Sequence, residues 1–493
     1  MPLNNGLRKI TLLSIIILIN LYSVTYQIKI PIKKVKTKFQ KSINKKISNT
    51  GLSSISDEFN TLENYLFATD ITIGSNKQKF TILLDTGSEI LWVAGEQAVS
   101  SPYANAYRPS SSTTSKKTSE ILNYQYAQGK ITGYYYNDQI NFLLSNSFYI
   151  NFGVADQTNL LDYYFDGIMG LGRRYTSSKY SVLQAIKNVG GTTSTKFSFK
   201  YDYDNDNLYF YLGEEHDDFK NVNSGILASC PLIDSDYYGK SLWLCDIVSF
   251  GIKQGDTIIK KITFGLEGLF DTGTNNIVFP SKYISDLQST FSGLNCYFYE
   301  EGDNNVGSQK AVYCRDQNNL PKITIGLKQY VLTLGKSNFY NTININKETV
   351  YRLRLLFVDI PFCIIGQNFY YEYHTLFDDE RGVLKFFSEE KSKIVYHEED
   401  SSSSKTWLII LLIVGGIIIL GVTATLIIYF CFLKKKKYYK NIVLNKELLE
   451  MSSIKKQDDM DEDENEETNF NQIMSITSNK KAKGININIH TKE

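Results

Sequence analysis

The sequence predicts an all-β fold built as two similar halves, followed by one C-terminal membrane-spanning helix, and three observations carry the β part. Runs of Val, Ile, Thr, Tyr and Phe are cut repeatedly by Asn, Asp and Gly, with 35 Tyr and 28 Phe against 8 Pro, the pattern of short strands joined by turns. The tripeptide Asp-Thr-Gly occurs at Asp85-Thr86-Gly87 and again at Asp271-Thr272-Gly273, each time between apolar runs. An apolar-apolar-Gly segment follows each copy, with Gly170 and Gly366 standing 85 and 95 residues after their aspartates, so the chain contains an internal duplication.

Residues 1–26 place Arg8 and Lys9 ahead of the apolar run 10–21 and then small polar residues, the layout of a secretory signal peptide cut between residues 23 and 26. Residues 27–55 form a basic segment with Lys29, Lys33, Lys34, Lys36, Lys38, Lys41, Lys45 and Lys46, and no acidic residue precedes Asp57. Such a segment can lie across an acidic cleft at neutral pH and leave when acid protonates the carboxylates that hold it. Residues 56–398 then read as one continuous β-rich body, with a first half at about 62–200 and a second at about 201–398.

Within this body Thr81-Ile82-Leu83-Leu84 reads as a buried strand ending on Asp85, and Leu269-Phe270 leads in the same way to Asp271. Strands resume at Ile90-Leu91-Trp92-Val93 and at Ile277-Val278-Phe279, so each aspartate sits on a tight turn emerging from a core. Gly87 and Gly273 permit a close backbone approach, and Thr86, Ser88, Thr272 and Thr274 supply hydroxyls for a carboxylate or for the opposite turn. If the turns face each other, two like charges in contact cannot both ionise. The pair then shares one proton.

These turns resemble the two catalytic turns of the pepsin-like aspartic proteases, and the resemblance runs through the whole body. Tyr65 to Ile71-Thr72-Ile73-Gly74 looks like the strand leading into the first turn, Trp92 and Tyr107-Arg108-Pro109 follow in the family's order, and Phe165-Asp166-Gly167-Ile168-Met169-Gly170 matches Phe362-Cys363-Ile364-Ile365-Gly366. Tyr124-Gln125-Tyr126-Ala127-Gln128-Gly129 looks like the flap hairpin that closes over bound peptide, with Tyr126 and Gly129 at its tip. The resemblance implies a bilobal pepsin-like fold with an interlobe cleft, Asp85 and Asp271 as catalytic residues, and Thr86, Gly87, Ser88, Thr272, Gly273 and Thr274 as their supports. It implies Tyr126, Gly129, Trp92 and Ile168 on the substrate, an extended peptide as that substrate, a monomeric enzyme, and no metal or organic cofactor. It also casts 27–55 as the pro-segment of a zymogen. Three positions depart from the family pattern: Glu89 where a small residue is usual, Ala127 after the flap tyrosine, and Gln367 where an aspartate is common.

After a linker at 399–406, residues 407–433 are apolar throughout, long enough to cross the hydrocarbon layer of about 30 Å as a helix. Trp407 opens the run and Lys434, Lys435, Lys436 and Lys437 close it, which places the remainder in the cytosol. With a cleaved signal peptide this is a single-pass type I membrane protein, its folded body in the lumen of the secretory or endolysosomal system or at the cell surface. The tail 434–493 is polar, with an acidic run from Asp458 to Glu467, and reads as disordered.

The formal net charge of +1 argues against nucleic acid as a partner. Four histidines with no Cys or His cluster at ligand spacing argue against zinc and haem, and equally against a Ser-His-Asp hydrolase, with His374 reading as a packed or surface side chain. In an oxidising compartment Cys230 can pair with Cys245 and Cys296 with Cys314, leaving Cys363 free, although spacing alone does not fix connectivity. The competing reading is a catalytically weak or inactive peptide-binding receptor on the same fold.

Overall fold

Burial along the strands sets the layers. In Gly129–Asn141 the buried positions Gly129, Ile131, Gly133 and Tyr135 alternate with more exposed ones, as a half-buried strand requires. Leu91–Ala94 and Gly167–Gly170 are buried on both faces and lie inside their sheet. The computed structural model describes residues 27–36, 65–98, 105–126, 129–142, 147–158, 160, 165–173, 179–220, 222–235, 240–301, 309–345, 348–396, 413 and 421–436.

The described strands up to residue 396 form two large sheets. In the first half Gln78–Asp85 runs parallel to Gly167–Gly170, with Asp85 opposite Gly170, and Gly167–Gly170 is antiparallel to Leu91–Ala94. In the second half Thr257–Phe270 runs parallel to Cys363–Ile365, with Phe270 opposite Ile365, and Cys363–Ile365 is antiparallel to Ile277–Pro280. Leu91–Ala94 and Ile277–Pro280 each gain a further parallel neighbour, Phe148–Thr158 and Glu348–Val358 respectively. The duplication read from sequence is therefore a repeated strand topology. Each aspartate leaves its strand at the same point of that topology.

Strands from both halves meet in a shared layer, where Phe197–Asp202 pairs with Asn207–Gly213 on one side and His374–Asp378 on the other. The expected boundary near 200 falls inside that first strand. Its core is aromatic: Phe197 stacks on Phe377 with centroids 4.6 Å apart, and Trp243 Nε1 donates to Leu171 O at 2.8 Å across the two halves. Cys230–Cys245 and Cys296–Cys314 both form, and Cys363 is a buried free thiol.

The opening of the basic segment is a strand of this layer rather than a strap over the cleft. Gln27–Lys36 pairs antiparallel with Asn207–Gly213 and then with Tyr65–Ile73, because Ile30 and Ile32 have a core to fill on one face. On the other face Lys29 Nζ lies 3.7 Å over the Tyr209 ring, and Lys33 and Lys34 pair with Asp70 and Asp206. Residues 37–64, and with them the rest of the expected pro-segment, lie outside the described residues, as do the expected signal peptide at 1–26, residues 127 and 128 of the flap tip, and the tail from 437.

Residues 400–493 make a second unit, described at 413 and over 421–436, which is helical. Among the described residues no helix is long and apolar enough to cross a membrane. Much of the expected span at 407–433 lies outside them.

Candidate active site

Each site turn begins as a buried strand, so its aspartate reaches the surface of the core already held by backbone. Asp85 accepts the Gly87 N–H at 2.9 Å and the Ser88 hydroxyl, and Asp271 accepts the Gly273 N–H at 2.7 Å and the Thr274 hydroxyl at 2.5 Å. The two threonines cross between the turns. Thr86 N donates to Thr272 Oγ1 at 3.0 Å and Thr272 N to Thr86 Oγ1 at 2.9 Å, while Thr86 Oγ1 donates to Phe270 O and Thr272 Oγ1 to Leu84 O, each at 2.7 Å. Four buried hydrogen bonds thus fix one turn against the other. The glycines are what let them meet: a Cβ at 87 would stand 2.5 Å from Asp271 Oδ1, and one at 273 would collide with Asp85 Oδ1.

Asp85 and Asp271 are 6 % and 8 % exposed, and a Cβ at Gly273 would meet Asp85 Oδ1 and stand 3.1 Å from Asp271 Oδ1, so the two carboxyls converge on one point. Burial holds the Asp85 carboxyl well above the usual carboxylate range, and the charge of Asp271 adds to the rise. Hydrogen bonds from Ser88 and Gly87 work the other way. Two carboxyls this close hold protons as a pair, and the environment keeps one on Asp85 to higher pH than on an ordinary carboxyl. The pair can then do two things at once, taking a proton from a water on one oxygen and donating a hydrogen bond to a carbonyl from another.

Lys116–Tyr126 and Gly129–Asn141 form a hairpin with Tyr126 opposite Gly129. Trp92 Nε1 donates to the Tyr126 hydroxyl at 2.9 Å, and the Tyr124 ring packs 4.9 Å from that of Tyr126. Burial and the nearby Asp85 charge push the Tyr126 phenol up, so it stays a neutral donor. Ile168 is buried in the apolar cluster that holds Trp92, Leu83 and Ile90 and against which Tyr124 and Tyr126 pack. The Glu89 side chain runs along Gly172, its Cγ 3.0 Å from where a Cβ at 172 would stand.

Two residues under the site escape sequence reasoning. Gln367, noted only as a missing aspartate, is 1 % exposed and donates from Nε2 to Thr272 O at 2.6 Å, while its backbone N–H donates to Thr274 O at 2.7 Å. An amide here latches the second turn with a donor that a carboxylate lacks. Tyr370 is fully buried, burial and the nearby Asp271 and Asp85 charges push its phenol well up, and its hydroxyl makes no hydrogen bond among the described residues. The aromatic run Phe369-Tyr370-Tyr371 was the available signal, but it names a core, not a neighbour.

The profile of the eukaryotic aspartyl protease family matches residues 66–387. Among similar proteins, mouse (Mus musculus) gastricsin is 26% identical over 328 residues, covering 63% of this chain and 77% of its own. Rabbit (Oryctolagus cuniculus) pepsin-3 is 30% identical over 293 residues, covering 55% and 68%, and human (Homo sapiens) gastricsin is 24% identical over 331 residues, covering 63% and 78%. The matched segment contains both interlocked turns, the hairpin above them and the repeated topology that delivers them, and on these grounds the chain belongs to the eukaryotic aspartyl protease family.

Proposed function

We propose that the protein is an endopeptidase that hydrolyses peptide bonds of an extended substrate at acidic pH. The observation that carries this reading is the convergence of two buried carboxyls on crossed turns. In the working state Asp85 and Asp271 share one proton. The ionised oxygen removes a proton from the attacking water, the protonated partner donates to the scissile carbonyl, and the carbonyl carbon gains the hydroxyl as its oxygen takes up the proton. The proton taken from water then passes to the leaving nitrogen, while the other aspartate takes a proton back from a hydroxyl of the tetrahedral intermediate. The C–N bond breaks, and the pair is left with its one proton. Ser88 and Thr274 hold the outer carboxylate oxygens, Tyr126 closes over the peptide with Trp92 fixing its hydroxyl, and Ile168 lies at the apolar floor beside it.

The basic segment 27–55 acts as an activation segment, kept in place at neutral pH in part by the Lys34–Asp206 pair, whose hydrogen bond holds the Asp206 carboxyl below its ordinary range and is lost as acid protonates it. The apolar run 407–433 anchors the protein in a membrane, with the protease body in an acidic lumen or outside the cell and the enzyme acting as a monomer. The test is incubation of the acid-processed protein with a peptide library between about pH 3 and 6. Cleavage that disappears in Asp85→Asn and in Asp271→Asn is the expected result. Processed protein that binds library peptides but cuts none at any pH would instead make it a peptide-binding receptor on this fold.

A further inference from the structure

Folding brings together three metal-ligating side chains that no sequence spacing would join. His374 opens the strand His374–Asp378 of the shared layer, while His216 and Asp218 lie at the start of the short helix Asp217–Lys220. Asp218 Oδ2 stands 2.7 Å from His374 Nδ1 and 3.3 Å from His216 Nδ1, and one ligand atom from each residue lies within 4.8 Å of the others. Two imidazoles and a carboxylate are a donor set that borderline divalent ions take, whereas calcium and magnesium need more oxygens than this cluster offers.

The surroundings fit an ion as well. His374 Nε2 lies 2.9 Å from Ser198 Oγ. Without an ion Nδ1–H donates to the Asp218 carboxylate; on metal binding that proton leaves, Nε2–H donates to the Ser198 hydroxyl, and an outer hydrogen bond of this kind is how metal-bound histidines are commonly held. Phe219 packs 4.4 Å from the His374 ring and Tyr211 4.8 Å from that of His216, so the cluster has an apolar wall. A cation already occupies the remaining side: Lys200 Nζ lies 2.7 Å from Asp218 Oδ2. Its long stem and partial exposure let the ammonium swing into water. His216 is half-buried at the chain's entry to the helix, and its Nδ1 accepts the Asp218 N–H at 3.2 Å, a bond that an ion on Nδ1 would replace.

We propose that His216, Asp218 and His374 bind one divalent transition-metal ion of the zinc class, taken up as the Lys200 ammonium swings out and the His374 proton sits on Nε2. The ion pins the helix Asp217–Lys220 to a strand of the layer that both halves share. It uses none of the residues assigned to peptide hydrolysis, so it stands or falls separately from that assignment.

The experiment uses the full chain in detergent, stripped with a chelator and titrated with zinc at about pH 7.5, where free imidazoles are neutral. Saturable binding with a melting-temperature rise of about 2 °C or more, and none with magnesium, is expected. His216→Gln should raise the zinc Kd at least about tenfold. Lys200→Met should lower it about tenfold, because the competing charge-assisted bond to Asp218 is gone. Three results would each overturn the proposal: no response of the unaltered protein to zinc, an unchanged Kd in His216→Gln, or a Lys200→Met variant that binds no tighter than the parent.

Discussion

Asp85 brings a pH dependence to the fold and, on the proposed reading, to the chemistry. Its carboxyl is raised in the folded protein by burial and by Asp271, whereas in the unfolded chain it ionises near 3.8. The folded state therefore holds the proton longer, so this group's contribution is fully present below that unfolded value and is lost as pH rises through the folded one. Asp85→Asn should abolish cleavage and yet stabilise the protein at neutral pH, by about 1–3 kcal/mol, with little gain at about pH 3. Thermal melts at the two pH values check this, and equal effects at both would sink it. Tyr126→Phe keeps the ring and leaves Trp92 Nε1 without its acceptor. Its kcat/KM should fall about three- to tenfold with an unchanged melting temperature. The aspartates, their hydroxyl neighbours and Tyr126 were legible because their signals are local. Gln367 and Tyr370 were not, since Gln367 latches Thr272 and Tyr370 is buried near both aspartates, all distant from them in the chain.

The strands feeding the two turns show the same division at the level of elements. Apolar runs ending in Asp-Thr-Gly announced Gln78–Asp85 and the end of Thr257–Phe270, and those strands do deliver the aspartates buried. What the runs left open was the crossing of Thr86 and Thr272, in which each hydroxyl serves one donor and one acceptor of the facing turn. Thr272→Val keeps the shape and strands the Thr86 N–H and the Leu84 carbonyl in a dry site. It should cost about 2–4 kcal/mol by urea unfolding and depress kcat more than it changes KM. A variant as stable as the parent would show that the crossing holds nothing in place.

For the whole molecule, the layer shared by the two halves is the feature on which most depends, and Gln27–Lys36 is one of its strands. Expression without residues 27–36 exposes the facing edges of Asn207–Gly213 and Tyr65–Ile73 and empties the sites of Ile30 and Ile32. The melting temperature at neutral pH should drop by several degrees, and no drop would mean that the strand is dispensable before activation. The sequence by itself determined the β class, the duplication and the identity of the two aspartates, because strand periodicity and a turn tripeptide are properties of a few neighbouring residues. Tertiary structure alone decided that the turns interlock, that the basic segment opens as a sheet strand, and that His216 and His374 gather on Asp218. Those outcomes depend on which distant surfaces bury each other, and no local pattern in the chain encodes that.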